Sequence, residues 1–235
     1  MRVFLVLPAY NEARGLREIL PAFQTEMKWL GMEGQVIVVD DGSTDGTFES
    51  VKGQAIYVRH RVNQGLGRTI EDALRHAATL AVPDDVIVTM DADNTHPVNL
   101  IPQMLDRIHA GYDVVIASRY RVGAQTLGLS WARQLMSYGA RALFQVLCPI
   151  PGVRDYTCGF RAYRASTLKR AFANGPIVTE RGFASMAEIL LKLRAFNLRF
   201  CEVPLILRYD LKDGASKCRV WSTVGATFRV AWSNR

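Results

Sequence analysis

Three short apolar runs constrain this chain most, because each breaks off abruptly into polar residues. Residues 3–7 run into Pro8-Ala9-Tyr10-Asn11-Glu12, residues 36–39 into Asp40-Asp41-Gly42-Ser43-Thr44-Asp45, and residues 86–90 into Asp91-Ala92-Asp93. A strand that is apolar at every position is buried on both faces, as in a parallel sheet covered by helices. Residues 55–58 and 114–117 add two further strands. Helical stretches lie between them. One follows Asn11, which can cap it, and a short one follows Ser43 or Thr44. Residues 66–80 carry apolar residues at 66, 70, 73, 74, 77 and 80, and another helix starts at Pro97 and runs to about His109. Alternating strands and helices predict an α/β fold with a Rossmann-like, mostly parallel central sheet flanked by helices.

The second half reads differently. A long helix covers residues 131–147 and is closed by Pro149 and Pro151. A short strand is expected at 159–163, a helix at 182–195 and a strand at 199–203. Residues 216–232 read as a C-terminal amphipathic helix, with Val220, Trp221, Val224, Phe228 and Trp232 near one stripe. No repeat or linker interrupts the chain. One domain is therefore expected over residues 1–215, in two halves (1–117 and 118–215), with the helix 216–235 appended.

Charge divides along the same line. The formal net charge is +7, yet residues 1–117 hold 10 basic and 16 acidic side chains, and residues 118–235 hold 19 and 6. The acidic half suits a cation; the basic half suits phosphate, anionic lipid or nucleic acid. With 49% hydrophobic and 22% charged residues, disordered, collagen-like and coiled-coil classes are excluded. No run approaches the roughly 20 apolar residues of a membrane span, and residues 3–7 are too short for a signal-peptide core. Cys148, Cys158, Cys201 and Cys218 show no CxxC spacing, so no zinc or redox site is expected, and a reducing cytosolic setting follows.

Asp91 and Asp93 carry the strongest chemical signal. Both leave the end of a buried strand, and in open α/β sheets ligands sit outside the carboxyl ends of the strands. Paired carboxylates there suit Mg²⁺ or Mn²⁺, which take oxygen ligands and bridge to substrate phosphates. A solvated acidic turn would explain one such cluster. It does not explain three on one edge.

PAYNE, VVDDGSTDGT, MDADNTHP, ASRY and DYTCGFRAYR occur in that order. Together they resemble glycosyltransferase family 2, most closely its dolichyl- or polyprenyl-phosphate mannose and glucose synthases, over residues 3–217. The resemblance implies a GT-A fold and an inverting, metal-dependent enzyme. It would move mannose or glucose from a GDP- or UDP-sugar to a polyprenyl phosphate. It assigns residues 1–117 to the nucleotide sugar and 118–215 to the acceptor. Pro8, Tyr10, Glu12, Asp41 and Asp91 would hold the nucleotide, and Asp91 and Asp93 the metal. Arg119, Arg133 and Ser137 would hold the acceptor phosphate, which suits the forked geometry of Arg; Arg119 would join Asp91 and Asp93 as catalytic. Arg208, Lys212 and Lys217 would meet the donor diphosphate.

Several positions depart from the family pattern. Thr95 stands where some synthases have a metal-binding Gln, Leu211 where an Arg is usual, and Arg68 where a small residue is usual. His96 reads as structural. The resemblance further implies a cytoplasmic protein, peripheral on the inner face of a membrane, with no nucleic-acid partner; the amphipathic stripe of the last helix predicts docking on the bilayer, and it could equally pack on the sheet or pair with a second subunit. An alternative within the family is a hydroxyl acceptor with Glu180 as base, since a hydroxyl needs deprotonation and a phosphate does not. The family's processive QxxRW motif is missing. A basic binding module without catalysis is the other class considered. No nucleic-acid motif supports it, and no GxGxxG supports a dinucleotide enzyme.

Overall fold

The computed structural model describes residues 1–211 and 220–233. Its elements begin with β1 (Arg2–Ala9), α1 (Ala13–Leu30), β2 (Glu33–Asp40), α2 (Thr47–Val51), β3 (Ile56–Arg59), α3 (Leu66–Leu80) and β4 (Val86–Thr89). A 3-10 turn over Val98–Leu100 leads into α4 (Ile101–His109), then β5 (Val114–Ser118), β6 (Gln125–Leu127) and α5 (Trp131–Leu147). The chain continues with β7 (Arg161–Arg164), α6 (Ala165–Ala173), α7 (Ser185–Arg194), β8 (Phe200–Pro204), β9 (Ile206–Arg208) and α8 (Val220–Ser233).

Seven of the described strands form one sheet in the order β3-β2-β1-β4-β7-β5-β8. The predicted parallel core is present: β1 pairs with β2 and with β4 in parallel, with Ala9 opposite Asp40 and Val6 opposite Thr89. This register brings the ends of β1, β2 and β4 to one edge. Residues 3–7 have no solvent exposure, as an unbroken apolar strand requires. β7 runs antiparallel between β4 and β5, with Ile87 opposite Tyr163 and Val115 opposite Ala162. Strands from both halves of the sequence thus share one sheet and one core.

Local structure departs from expectation where side chains serve other elements. Asn11 was expected to cap α1, but it lies at φ 54° and its Oδ1 accepts from the Thr44 amide. The Ala13 amide at the start of α1 donates instead to Asp45 Oδ2 at 3.1 Å. Ser43 likewise accepts the Asn11 amide at 2.8 Å instead of starting a helix, and α2 begins at Thr47. The strand expected at 159–163 is β7, shifted toward α6, which periodicity did not suggest. The short parallel ribbon β6–β9 also lay outside expectation, because three-residue strands carry no readable period. On α8, Phe228 and Trp232 face outward, while Ala226, Val230 and Ala231 pack inward. The first residues of that predicted helix, 216–219, lie outside the described residues.

Candidate active site

The donor edge is built from strand ends and tight side-chain clasps. Gly15 lets α1 lie directly against the loop after β4: a Cβ on Gly15 would sit 2.1 Å from the Ala92 carbonyl oxygen. That loop carries Asp91 and Asp93. Thr95, which is buried, donates its hydroxyl to Asp93 Oδ1 at 2.6 Å and its amide to the same oxygen at 3.2 Å. The residue in the family's Gln position therefore orients the second carboxylate. His96 accepts the Asp91 amide on Nδ1 at 3.2 Å and packs its ring on Phe160, which is a supporting role. Gly159 faces Asp91, where a Cβ would stand 3.1 Å from Oδ1.

Glu12 and Asp93 line one cavity of about 340 Å³, together with Arg14, Asp45 and Leu211. Leu211, at the position usual for Arg, gives that wall no cation. Pro8 and Tyr10 lie at and just beyond the end of β1, on the same edge. Asp41 is buried at the end of β2, and its carboxylate accepts from the amides of Gln64 and Gly65 at 2.7 and 2.8 Å and from the His60 ring. Nearby, burial opposes the charge on Asp45, but hydrogen bonds from Thr47 and from the Ala13 amide hold its carboxyl below the usual range.

Among the described residues no group of three or more His, Cys, Asp or Glu could hold a metal ion. The donor set is two hard carboxylates. This fits a cation that keeps water and takes phosphate oxygens, such as Mg²⁺ or Mn²⁺, and does not fit a closed zinc site. Arg208 stands beside this loop, with its amide donating to the Thr95 carbonyl at 2.9 Å. Its guanidinium pairs with Asp210 at 2.9 Å, so the structure brings it to the donor edge but engages it locally. Lys212 and Lys217 lie outside the described residues.

A second, larger cavity of about 790 Å³ runs along α5 toward α8. Arg119, Arg133 and Ser137 all line it, although Arg119 follows β5 and the other two are on α5. Arg133 and Ser137 share a face, as their i, i+4 spacing requires. Arg133 donates to the Tyr209 hydroxyl at 2.5 Å, and Ser137 meets the Tyr120 hydroxyl at 2.5 Å. Arg119 makes a two-pronged contact with Asp155, at 2.8 and 2.7 Å, and donates to Thr157 Oγ1 at 2.7 Å. Burial works against both charges. Even so, Arg119 holds the Asp155 carboxyl below its usual range, and Asp155 raises the guanidinium in turn. Glu202 supports this pair by accepting the Arg154 and Asp155 amides, each at 2.6 Å. Cys158, buried next to it, has its thiol pushed up to about 12, chiefly by burial. Beyond the polar end the lining is apolar, with Met136, Leu143, Val146, Leu147 and Phe228.

Sequence reasoning missed Asp155, although it opens the DYTCGFRAYR motif; its signal was an acidic residue in an otherwise basic half. It also missed how Glu180 is held. Glu71 accepts the Ile177 and Val178 amides, and Glu188 accepts those of Thr179 and Glu180. The Glu180 carboxylate takes the Arg181 amide at 3.1 Å and lies 3.5 Å from Arg229 of α8. A Cβ on Gly67 would come within 1.7 Å of the Glu180 carbonyl oxygen, so this loop is packed onto the start of α3.

Residues 4–172 match the family model for glycosyl transferase family 2. Over 196 residues the chain is 33% identical to a dolichol-phosphate mannosyltransferase of Pyrococcus furiosus, covering 82% of this chain and 53% of that protein. The chain thus spans about half the length of that relative. It is 32% identical to a polyprenol monophosphomannose synthase of Mycolicibacterium smegmatis, covering all of this chain and 88% of that one. Among solved structures, glucosyl-3-phosphoglycerate synthase of Mycobacterium tuberculosis, in complex with Mn²⁺, uridine diphosphate and phosphoglyceric acid, superposes with a TM-score of 0.69 at 20% identity. That superposition covers 99% of this chain and 76% of that one, and it establishes the shared fold. On the ordered motifs, the sheet and the extent of the match, the chain belongs to glycosyl transferase family 2.

Proposed function

We propose that this enzyme transfers a hexose from a nucleotide sugar to a polyprenyl phosphate. One observation carries the reading: Arg119, Arg133 and Ser137, from separate parts of the chain, line one groove whose remaining lining is mostly apolar. A lipid phosphate has that same division. From Ser137 to Val146 the groove follows nine residues of helix, about 13 Å. The relatives' names, all mannosyl enzymes of prenyl phosphates, support the acceptor class and favour mannose.

The chemistry follows from the residues. Asp91 and Asp93 would hold Mg²⁺ or Mn²⁺, which would supply charge stabilisation to the departing diphosphate. Glu12, Asp41 and the strand ends around Pro8 and Tyr10 hold the nucleoside, and Arg208 lies within reach of the same edge. On the other side, Arg119, Arg133 and Ser137 align a phosphate oxygen on the anomeric carbon. That oxygen forms the new bond as the bond to the diphosphate breaks, and configuration inverts. The phosphate is already an anion, so alignment replaces a base. Glu180, tied to Arg181 and Arg229, is then a structural residue.

The acceptor would be met at a bilayer surface. No described helix is long and apolar enough to cross a membrane. Instead α5 turns Trp131, Leu135, Tyr138 and Val146 outward on one face, and α8 adds Phe228 and Trp232. An exposed apolar stripe beside a groove suits contact with lipid.

The test is transfer of labelled GDP- and UDP-sugars to a polyprenyl phosphate carried in vesicles, followed by organic extraction. Label is expected in the organic phase, to vanish with EDTA and to fall by about 10²–10³ in Asp93→Asn. No extractable label with any nucleotide sugar would sink the reading.

A further inference from the structure

A chain of paired side chains runs from the surface of α3 to the nucleotide edge, and the reaction as described gives only its inner end, Asp41, a task. Its centre is His60, which follows β3 and is 8% exposed. Nδ1 stands 2.8 Å from Asp41 Oδ1, and Nε2 stands 3.2 Å from Asp72 Oδ2. Arg68 donates its Nε to that same Asp72 oxygen at 2.7 Å. The order is therefore Asp41, His60, Asp72, Arg68. Arg68 thus pairs with Asp72 on its own helix and anchors the outer end of the chain.

We infer that His60 is a positioning residue for donor binding, fixing the Asp41 carboxylate in one orientation toward the nucleoside; this rests on the nucleotide-sugar reading above. A carboxylate only accepts hydrogen bonds and offers about four lone-pair sites. On Asp41 the His60 ring and the Gln64 amide take Oδ1, and the Gly65 amide takes one site on Oδ2. One Oδ2 site remains for a ribose or base donor. Both ring nitrogens of His60 face carboxylate oxygens, Nδ1 that of Asp41 and Nε2 that of Asp72. The backbone reinforces the arrangement. His60 donates its amide to the Asp40 carbonyl at 2.8 Å. Gly42, at φ 79°, packs so closely that a Cβ would meet the Asn63 amide at 3.2 Å. Without the imidazole, the Asp41 side chain keeps its two loop amides but loses its side-chain partner, and its carboxylate can rotate away from the nucleoside.

The experiment is calorimetric titration of the full-length protein with GDP, UDP and inorganic pyrophosphate, each with Mn²⁺. The variants are His60→Ala and His60→Gln, with thermal midpoints recorded. Loss of a hydrogen bond to a charged group predicts about tenfold or greater weakening of the preferred nucleoside diphosphate in His60→Ala. Pyrophosphate affinity should be unchanged, since Asp91 and Asp93 are untouched. His60→Gln, which keeps a donor for Asp41, should recover part of the loss, and it serves alone if the alanine variant does not fold. Unchanged diphosphate binding in a folded variant would overturn the inference. So would an equal loss of diphosphate and pyrophosphate, because that is general damage. Wild-type protein that binds no nucleoside diphosphate overturns the donor reading itself, whatever His60 does.

Discussion

The two sides of the site are built from different materials. On the donor edge, loops are held by side chains that accept backbone amides a few residues or one strand away: Asp41 on Gln64 and Gly65, Asp45 on Ala13, Thr95 with Asp93. Close backbone contact at Gly15 and Gly42 leaves little room to adjust. The acceptor groove is made of helix faces and apolar side chains, and its polar end depends on one ion pair and three hydroxyl contacts. A nucleotide presents many polar atoms at fixed geometry, so its site is rigid and dense in hydrogen bonds. The prenyl chain of the proposed acceptor presents no polar atoms past its phosphate, and for it a greased channel would suffice.

The largest predicted effect falls on the acceptor side. Arg119 and Asp155 form a nearly dry ion pair, and removing one partner leaves an uncompensated buried charge. Arg119→Ala should cost about 3 kcal/mol of stability, the low end for such cuts, because three backbone amides still serve Asp155. Adding Asp155→Asn removes the stranded charge and keeps a carbonyl oxygen for the Thr157 and Cys158 amides, at the loss of the Arg119 amide's acceptor, so denaturant midpoints should partly recover. Transfer to lipid phosphate should not recover. Full activity in the double variant would show that Arg119 is dispensable to the groove.

What could be read in advance follows the same contrast. The three strand ends were legible because a buried parallel strand is an unbroken apolar run, and polar residues mark where it leaves the core. The DxD pair sat at such an end, so its place on the edge needed no tertiary knowledge. The groove was less legible. Arg133 and Ser137 share a face by spacing alone, but nothing local joins them to Arg119 or to Phe228 of α8. Asp155 and Glu202, which together present Arg119, are isolated acidic residues whose meaning comes only from folding. Likewise, Asn11 and Ser43 looked like helix caps because capping chemistry is local; in the fold they bond across two loops. The β6–β9 ribbon and α6 carried too few periodic residues to register.

A smaller effect should strike the donor edge alone. Gly15→Ala places a methyl 2.1 Å from the Ala92 carbonyl, against backbone that has no easy retreat. The Asp91–Asp93 loop must shift by about 1 Å, and misplacement of that size costs on the order of 10²-fold in transfer. Pyrophosphate affinity with Mn²⁺ should fall with it, while the KM for lipid phosphate should hold. A loss shared equally by both substrates would mean that the two sides are mechanically one unit, and the comparison drawn here would fail.

The smallest effect is acid sensitivity, and it should also be uneven. Burial opposes the charges of Asp155 and Glu188, but Arg119 on the one, and Thr179 with its neighbouring amides on the other, hold both carboxyls below their usual range in the folded protein. A carboxyl depressed on folding contributes stability that is complete above its unfolded pKa, near ~4, and is lost as pH falls through the folded value. Urea midpoints should therefore stay level from neutrality to about pH 4.5 and drop below that. Both carboxylates support the acceptor side or the loop beside it, whereas Asp45 is the depressed carboxyl of the donor loops. In the Arg119→Ala/Asp155→Asn variant the acid slope should be shallower than in wild type, because one depressed carboxyl is gone. An unchanged slope would assign the acid response to the other depressed carboxyls, Asp45, Asp85, Glu188 and Asp210, and so shift it away from the ion pair of the groove.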